Sequence, residues 1–253
     1  MSTTAGVTTL TLDNPRTRNA LSTPLMTQLR EALAAAVADG TVRVVVLDHT
    51  GPVFCSGVDL AETRAAREAG TVPAAMLADL LGELWECPKP VVARVAGPAR
   101  AGGLGLIAAA DLAFCAEDAT FAFTEVRLGV IPAVISATVL RRLDSRAASH
   151  LYLTGEVFDG TRAARAGLVT GAVPAAALDA AVEAACAALV RGAPRALAGT
   201  KRLLRRPPAG TAAEDLAELS ALSVGYFLSE DAREGIAAFR DKRDPWWVPA
   251  ARG

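Results

Sequence analysis

The stretch KPVVARVAGPARAGGLGLIAAADLAFCAEDATFAFTEVRLGVIP, residues 89–132, decides the fold. An apolar run from Val91 to Ala96 predicts a strand that is buried on both faces. A turn containing Gly102 and Gly103 follows, and we expect an apolar helix to run from there through Leu112. A buried strand, a glycine-rich turn and a helix in this order are typical of a layered α/β protein.

The same alternation of strands and helices precedes this stretch. Residues Val7 to Leu12 and Val42 to Leu47 predict strands, and a helix between them begins near Pro24 and ends at Gly40. After Val173 only helical patterns follow. They cover Ala175 to Arg191, Arg195 to Leu204, Thr211 to Leu228 and Asp231 to Arg243. We therefore expect an α/β body over residues 1–192 and a helical region over residues 193–253.

The overall charge and hydropathy exclude several classes of protein. The 253 residues carry 26 Lys and Arg against 27 Asp and Glu, so no positive excess predicts binding to nucleic acid. No apolar run approaches the roughly 20 residues that cross a bilayer, and the N-terminus lacks the pattern of a secretory signal. The four cysteines show no CxxC spacing, and His49 and His150 match neither a catalytic triad nor a metal site. We expect a cytoplasmic protein with reduced, buried thiols, no metal, and no association with membrane or nucleic acid.

The glycines of the central stretch allow two interpretations. Gly103, Gly105 and Ala108 match the GxGxxA fingerprint of dinucleotide-binding proteins. We reject this interpretation because the predicted strand ends near Ala96, whereas the first glycine of that fingerprint directly follows its strand. In the second interpretation, Gly102 and Gly103 begin a helix, and their free backbone amides can hold a developing oxyanion.

A second turn of the same kind lies at FCSGVDL, residues 54–60, after a predicted buried strand. One backbone amide from each turn would form an oxyanion hole with two donors, and glycine would allow the close approach. The alternative is that both segments are ordinary turns between a strand and a helix. Spacing alone favours that alternative.

Five segments together resemble the crotonase superfamily, also called the enoyl-CoA hydratase/isomerase superfamily. They are NPRTRNALS at 14–22, FCSGVDL at 54–60, KPVVARVAGPARAGG at 89–103, DLAFCAEDATFAFTEVRLGVIP at 111–132 and DAREGIAAFRDKRDPWW at 231–247. These segments span nearly the whole chain in the family's order. The resemblance implies a crotonase-like spiral of ββα units and an acyl-CoA thioester as the ligand. It also implies that the C-terminal helical region builds a homotrimer, or a hexamer made of two trimers.

The resemblance suggests the catalytic groups as well. It puts the oxyanion hole at the backbone amides of Val58 and Gly102, where a thioester enolate would be stabilised. It puts the acid-base residue at Glu125, whose pKa we expect burial to raise toward neutral pH. The apolar side chains expected to enclose this carboxylate are Phe121, Phe123, Val126 and Leu128. The alternative for Glu125 is an ion pair with Arg127 or another arginine.

One position departs from the best-known hydratases of this family. They carry a second glutamate where this chain has Gly105, and two carboxylates can share the handling of water and proton. Glycine here, together with TEVRLGVIPAVIS at 124–136, resembles bacterial hydratases that act on branched or methylglutaconyl-type CoA esters. We therefore favour a hydro-lyase that adds water to a 2-enoyl-CoA, with Glu125 as the acid-base group. The alternatives are a single-glutamate enoyl-CoA isomerase and a catalytically weak acyl-CoA binding homologue, while Ala133 argues against a dienoyl isomerase.

The resemblance also implies a set of residues that bind CoA. Arg16 and Arg18 would meet the phosphates, since arginine forms bidentate hydrogen bonds with them. Phe239 and Lys242 would come from a neighbouring subunit; the alternatives are a core position for Phe239 and solvated charges for the cations. The turn around the adenine would consist of Ser56, Gly57, Val58, Asp59 and Leu60, with Gly103 beside it. The segment from Ala61 to Leu84 would line an apolar acyl pocket. CoA is part of the substrate, so we expect no separate cofactor.

Overall fold

A six-stranded sheet forms the central layer of the chain. The computed structural model describes residues 2–59, 62–64, 74–208 and 210–249. The strands, in their order across the sheet, are β1 (Ser2–Thr4), β2 (Val7–Leu12), β3 (Val44–His49), β4 (Val91–Val95), β6 (Leu112–Ala116) and β9 (Gly171–Val173). β1 and β2 pair antiparallel, and the remaining neighbours pair in parallel. β3 begins and ends two residues later than the sequence predicted, because its register with β2 joins Val44 to Val7 and His49 to Leu12.

A second sheet has three strands, β5 (Ala99–Arg100), β7 (Thr120–Ala122) and β8 (Phe158–Asp159). β5 pairs in parallel with β7, so that Ala99 lies opposite Phe121, and β7 pairs antiparallel with β8. β5 comes directly after β4, and β7 comes directly after β6. The chain therefore adds one strand to each sheet and then enters a helix, and this repeated ββα unit confirms the predicted spiral α/β fold.

Helices pack around these sheets and continue to the C-terminus. They span Thr23–Ala38, Ala74–Glu86, Gly102–Ala109, Ala133–Val139, Ser145–Thr154, Gly160–Arg165, Leu178–Val190, Pro194–Arg205, Ala212–Phe227 and Glu230–Arg240, with 3-10 turns at Pro15–Thr17, Thr124–Leu128 and Ala175–Ala177. The helix Thr23–Ala38 begins where Ser22 Oγ accepts a hydrogen bond from Leu25 N, with proline in the first turn. Among the described residues, no helix has the length and apolar character needed to cross a bilayer.

The helix Gly102–Ala109 lies in the middle of the core, and all eight of its residues are buried. A helix that is apolar on every side is expected to be enclosed by other elements in this way. It ends at Ala109 rather than at the predicted Leu112, because the backbone is already extended at Ala110 and Leu112 begins β6. Arg142 closes this end: its guanidinium donates to Ala108 O at 3.1 Å and to Ala110 O at 2.8 Å.

The C-terminal helices lie where the sequence patterns predicted them, with ends that differ by a few residues. The last helix ends at Arg240 instead of Arg243, since Lys242 takes a left-handed conformation with φ +53°. The helix Pro194–Arg205 is joined to the sheet by ion pairs, in which Lys201 and Arg205 each lie 2.6 Å from a carboxylate oxygen of Asp111. The division of the chain at residue 192 stays a prediction. The four cysteines are buried and unpaired.

Candidate active site

The two turns predicted to form an oxyanion hole lie against each other. Cys55 pairs with Ala99 in a parallel bridge, and Arg100 N donates to Cys55 O at 2.9 Å. Gly57 has φ +97°, and a Cβ atom built on it would lie 2.9 Å from Ala101 Cβ. The packing and the backbone conformation therefore both require glycine at this point.

The two amides assigned to the oxyanion hole are free to bind a ligand. Leu21 N donates to Gly57 O at 2.7 Å and Asp59 N donates to Leu21 O at 3.4 Å, so the N–H of Val58 between them points the other way. The N–H of Gly102 belongs to the first residue of a helix and has no partner inside that helix. Within the described part of the chain, neither N–H has a protein acceptor.

Backbone strain and tight packing coincide at this turn. Ala101, which precedes the Gly102 donor, has φ +46° and ψ −118°, a combination that non-glycine residues rarely adopt. Such strain costs on the order of 1–3 kcal/mol and is concentrated at functional sites. Added Cβ atoms would lie 2.8 Å from Leu21 Cδ1 at Gly102 and 2.8 Å from Cys55 Cβ at Gly103. Gly103 is thus needed for the helix to approach the neighbouring turn, because Cys55 O also lies 3.0 Å away, whereas at Gly102 the end of the Leu21 side chain could move aside.

The Glu125 carboxylate is half-buried, and one of its two oxygens lacks a partner among the described residues. Glu125 lies in the 3-10 turn Thr124–Leu128, and its Oε2 atom is buried with no hydrogen bond within the described residues. Burial raises the pKa of this carboxyl group above its usual value, as predicted. The alternative of an ion pair with Arg127 is wrong, because Arg127 donates from Nε and Nη2 to Thr154 O at 3.2 and 3.1 Å.

The predicted surroundings of Glu125 are only half correct. Phe121 and Phe123 are buried, but the side chains of Val126 and Leu128 are 36% and 69% exposed. The reason is that the chain turns in a 3-10 helix here, which directs the residues after Glu125 outward. Tyr152 was not predicted from the sequence. The centroid of its ring lies 4.4 Å from the centroid of the Phe123 ring. Nothing in the sequence near Glu125 could indicate a residue 27 positions away.

Apolar side chains fill the space beside Gly105. A Cβ atom at this position would lie 2.7 Å from Ile135 Cγ2 and 3.0 Å from Leu81 Cδ1. Ile135 and Leu81 are themselves buried. A side chain at residue 105 would displace these groups, so this pocket has no room for a second carboxylate.

Arg16 and Arg18 flank the turn that carries Val58. Ser56 N donates to Arg18 O at 3.0 Å, and Ser56 Oγ donates to Thr17 O at 3.2 Å, so the two loops are joined. Both arginines are exposed, and within the residues described here neither forms an ion pair. Two unpaired guanidinium groups beside the candidate oxyanion hole can meet phosphate groups of a ligand.

Asn19 holds these two loops in place, although the sequence analysis did not select it. Its buried side chain donates from Nδ2 to Thr50 O at 3.0 Å and to Val53 O at 2.8 Å, and Oδ1 accepts from Asn14 N at 2.8 Å. Asn19 has φ +53°, a conformation that asparagine tolerates better than most residues. The sequence signal that could have indicated this role is an asparagine in a turn segment, directly before the apolar pair Ala20 and Leu21.

The other predicted binding residues have different environments. Asp59 caps a helical turn, since its Oδ1 accepts from Glu62 N at 3.1 Å. Phe239 is 87% exposed, which rules out a core position, and Lys242 is exposed just after the last helix. Leu60, and residues 61 and 65–73 of the segment predicted to line the acyl pocket, lie outside the described residues. The binding roles of all these residues stay predictions.

The two histidines have partners away from Glu125. His49 Nε2 accepts from Ala96 N at 3.1 Å, and burial lowers the pKa of this imidazole. His150 lies 2.9 Å from Glu156 at the surface. In the described segments, no group of three or more histidine, cysteine and acidic side chains could hold a metal ion.

Comparisons with known proteins agree with this arrangement. The family model for enoyl-CoA hydratase/isomerase matches residues 2–249. A 2,3-dehydroadipyl-CoA hydratase from Escherichia coli is 34% identical, over 93% of this chain and 92% of its own. Among solved structures, Pseudomonas aeruginosa AtuE has a TM-score of 0.91 at 36% identity, with 98% of each chain covered. An enoyl-CoA hydratase from Shewanella pealeana has a TM-score of 0.91 at 32% identity, with 97% of this chain and 94% of its own covered. A match of this extent in sequence and fold shows that the chain belongs to the enoyl-CoA hydratase/isomerase family, the crotonase superfamily, and is an enzyme of that family.

Proposed function

We propose that this enzyme adds water to the C2=C3 double bond of a 2-enoyl-CoA thioester. The observation that carries the proposal is the half-buried carboxylate of Glu125, whose Oε2 has no partner among the described residues, in a chain whose two glycine turns present free amides at Val58 and Gly102. Water attack at C3 puts negative charge on the thioester oxygen. Amides directed at that oxygen stabilise the enolate more than the ground state, and loss of one such donor costs about 100- to 1000-fold in rate.

Glu125 would handle both proton transfers. The ionised carboxylate takes a proton from water as the water oxygen bonds to C3, and the resulting carboxylic acid gives that proton to C2 as the enolate collapses. The net change is the addition of one water molecule. A group that acts as base and then as acid works best when its pKa lies near the operating pH, and the upward shift caused by burial supports this double role.

We propose that Arg16 and Arg18 bind the CoA phosphates. The turn from Ser56 to Leu60 would bind the adenine, and Gly57, Asp59 and Gly103 would shape this site. We further propose a homotrimer or a hexamer of two trimers, in which Phe239 and Lys242 of one subunit reach the CoA bound to the next. The high exposure of Phe239 supports this arrangement, because an aromatic side chain left in water gains stability when a partner covers it. No cofactor besides the substrate's own CoA is expected.

Double-bond migration is the second candidate, and Gly105 is the observation that favours it. Isomerisation moves one proton from C4 to C2 and needs a single base, which matches a site where Ile135 and Leu81 occupy the space of a second acid. Hydration needs a placed water molecule as well. A site that binds acyl-CoA but turns it over weakly is the third outcome.

The change in enoyl thioester absorbance distinguishes these functions, because hydration of a 2-enoyl-CoA lowers it and isomerisation of a 3-enoyl-CoA raises it. Purified chain is assayed with crotonyl-CoA, a branched 2-enoyl-CoA and a 3-enoyl-CoA. We expect the first two to be hydrated, and we expect Glu125→Gln to lose about 1000-fold or more in kcat. Glu31→Gln, at an exposed position of the helix Thr23–Ala38, serves as the matched control with unchanged activity. Conversion of the 3-enoyl-CoA alone would reject hydration, and full activity of Glu125→Gln would reject the role of Glu125.

A further inference from the structure

The absence of a second acid at residue 105 raises the question of which group holds water beside Glu125. Ile135 and Leu81 close the space next to Gly105, and the Thr138 hydroxyl beside it is directed at Gly105 O at 3.2 Å. Glu125 Oε2 is buried and, among the described residues, has no protein partner. A water molecule bound to one carboxylate oxygen alone would be free to rotate, so an oriented attack needs a second contact.

Tyr152 is the nearest hydroxyl-bearing ring to this carboxylate that the contacts identify. Its ring packs on Phe123, two residues before Glu125, at 4.4 Å between centroids and 37° between planes. The helix Ser145–Thr154, which carries Tyr152, contacts the 3-10 turn that carries Glu125. Burial, with a smaller contribution from the negative charge of Glu125, raises the pKa of the Tyr152 hydroxyl. The hydroxyl therefore stays neutral across the range in which Glu125 acts.

Ser136 fixes the direction of the Tyr152 hydroxyl. Ser136 Oγ donates to Pro132 O at 2.6 Å, which anchors it at the start of the helix Ala133–Val139. The same oxygen lies 3.4 Å from Tyr152 Oη, and because the single Ser136 proton is given to Pro132 O, Tyr152 is the donor in this long contact. The lone pairs of Tyr152 Oη thus remain available to accept a hydrogen bond from a ligand.

We propose that the Tyr152 hydroxyl, held by Ser136 and Phe123, is a positioning group that orients the attacking water beside Glu125 and takes the place of the missing second acid. Water donates one hydrogen to Glu125 and the other to Tyr152 Oη, so that a lone pair of the water oxygen faces C3. Tyr152 neither gains nor loses a proton over the cycle. This inference rests on the proposed hydration, because isomerisation uses no water.

The variant that tests the proposal is Tyr152→Phe, which keeps the ring on Phe123 and removes only the hydroxyl. Tyr226→Phe is the matched control: Tyr226 is the other tyrosine of the chain, and its hydroxyl contacts Arg202 and Arg195 on the C-terminal helices. Two rates are measured for the full-length chain: hydration of crotonyl-CoA, and exchange of the α-proton of butyryl-CoA in deuterated water. The exchange requires Glu125 and the two amides but no added water.

We expect Tyr152→Phe to lose about 10- to 100-fold in kcat for hydration, with KM within about 3-fold and α-proton exchange within about 3-fold of wild type. Tyr226→Phe should match wild type in both rates. Equal losses of hydration and exchange would overturn the proposal, because a distorted site impairs both, and so would unchanged hydration. A wild-type chain that exchanges the α-proton but hydrates no 2-enoyl-CoA would reject hydration itself, and the role of Tyr152 with it.

Discussion

Substitution of Gly57 by alanine tests whether the contact between the two glycine turns aligns the oxyanion hole. Gly57 directly precedes the Val58 donor and has φ +97°. The new Cβ atom would lie 2.9 Å from Ala101 Cβ and 3.3 Å from Arg100 O, and Ala101 directly precedes the Gly102 donor. The added methyl group would therefore push on both turns that carry the donors.

The size of the effect follows from these distances. Two carbon atoms in ordinary contact are about 3.5 to 4.0 Å apart, so the turns would have to separate by roughly 0.6 to 1.1 Å. A displacement of about 1 Å at reacting groups costs about 100-fold in rate. We expect kcat for Gly57→Ala to fall about 10- to 100-fold. The free energy of unfolding should fall by about 1 to 3 kcal/mol, from the left-handed backbone and the overpacking together.

The measurements are steady-state hydration of crotonyl-CoA and urea unfolding at a fixed protein concentration. Gly40→Ala is the control, because no atom lies within 4 Å of the added Cβ atom and the backbone there is not left-handed. The double variant Gly57→Ala/Ala101→Gly removes the opposing methyl group and should recover about 10-fold of the lost kcat. Wild-type kcat in Gly57→Ala would refute the alignment argument. A double variant as slow as the single one would show that the methyl contact is not the cause.

Three further predictions concern pH, the loops and CoA. Because burial raises the pKa of Glu125, kcat/KM should rise with pH through an apparent pKa above 4.5, and a limb at or below 4.5 in a pH–rate profile would contradict this. The raised pKa also means that the folded state binds the Glu125 proton more tightly than the unfolded state does. The free energy of unfolding should therefore fall as pH rises through the folded-state pKa, and Glu125→Gln should unfold at a higher urea concentration than wild type at pH 7. Asn19→Ala should lower the free energy of unfolding by about 2 to 4 kcal/mol in urea titrations, because Thr50 O and Val53 O would lose their hydrogen-bond donor. A loss below about 1 kcal/mol would refute the role of Asn19 in holding the loops. Arg16→Ala and Arg18→Ala should each raise KM about 3- to 10-fold with kcat unchanged, whereas the exposed Arg195→Ala should change neither.

The sequence predicted those features that depend on local pattern. Val7 to Leu12 has the β-branched composition of a strand and forms β2 with these bounds, and the helix from Thr23 follows its serine cap and proline. The glycines at 57, 102 and 103 indicated close backbone approach, and each has a neighbour within 3 Å of its missing side chain. In each case the physical requirement is set by a few adjacent residues.

Features that depend on contacts between distant segments could not be read in this way. The exposure of Val126 and Leu128 results from a 3-10 turn, which an alternating apolar pattern cannot distinguish from a strand. Tyr152 reaches Phe123 only because the helix Ser145–Thr154 packs on that turn. The last carbonyl groups of the core helix are bound by Arg142, which is 33 positions beyond Ala109.

One packing arrangement explains both the missing acid and the properties of the remaining one. Ile135 fills the space at Gly105 and lies on the same short helix as Ser136, which contacts Tyr152. That helix therefore presents an apolar side chain to one part of the site and a hydroxyl to another. Among the described residues no second carboxylate adds its charge here, and desolvation is the cause that raises the pKa of Glu125. A single carboxylate whose pKa is raised in this way can act as both base and acid within one catalytic cycle, provided that a neutral group such as Tyr152 holds the water.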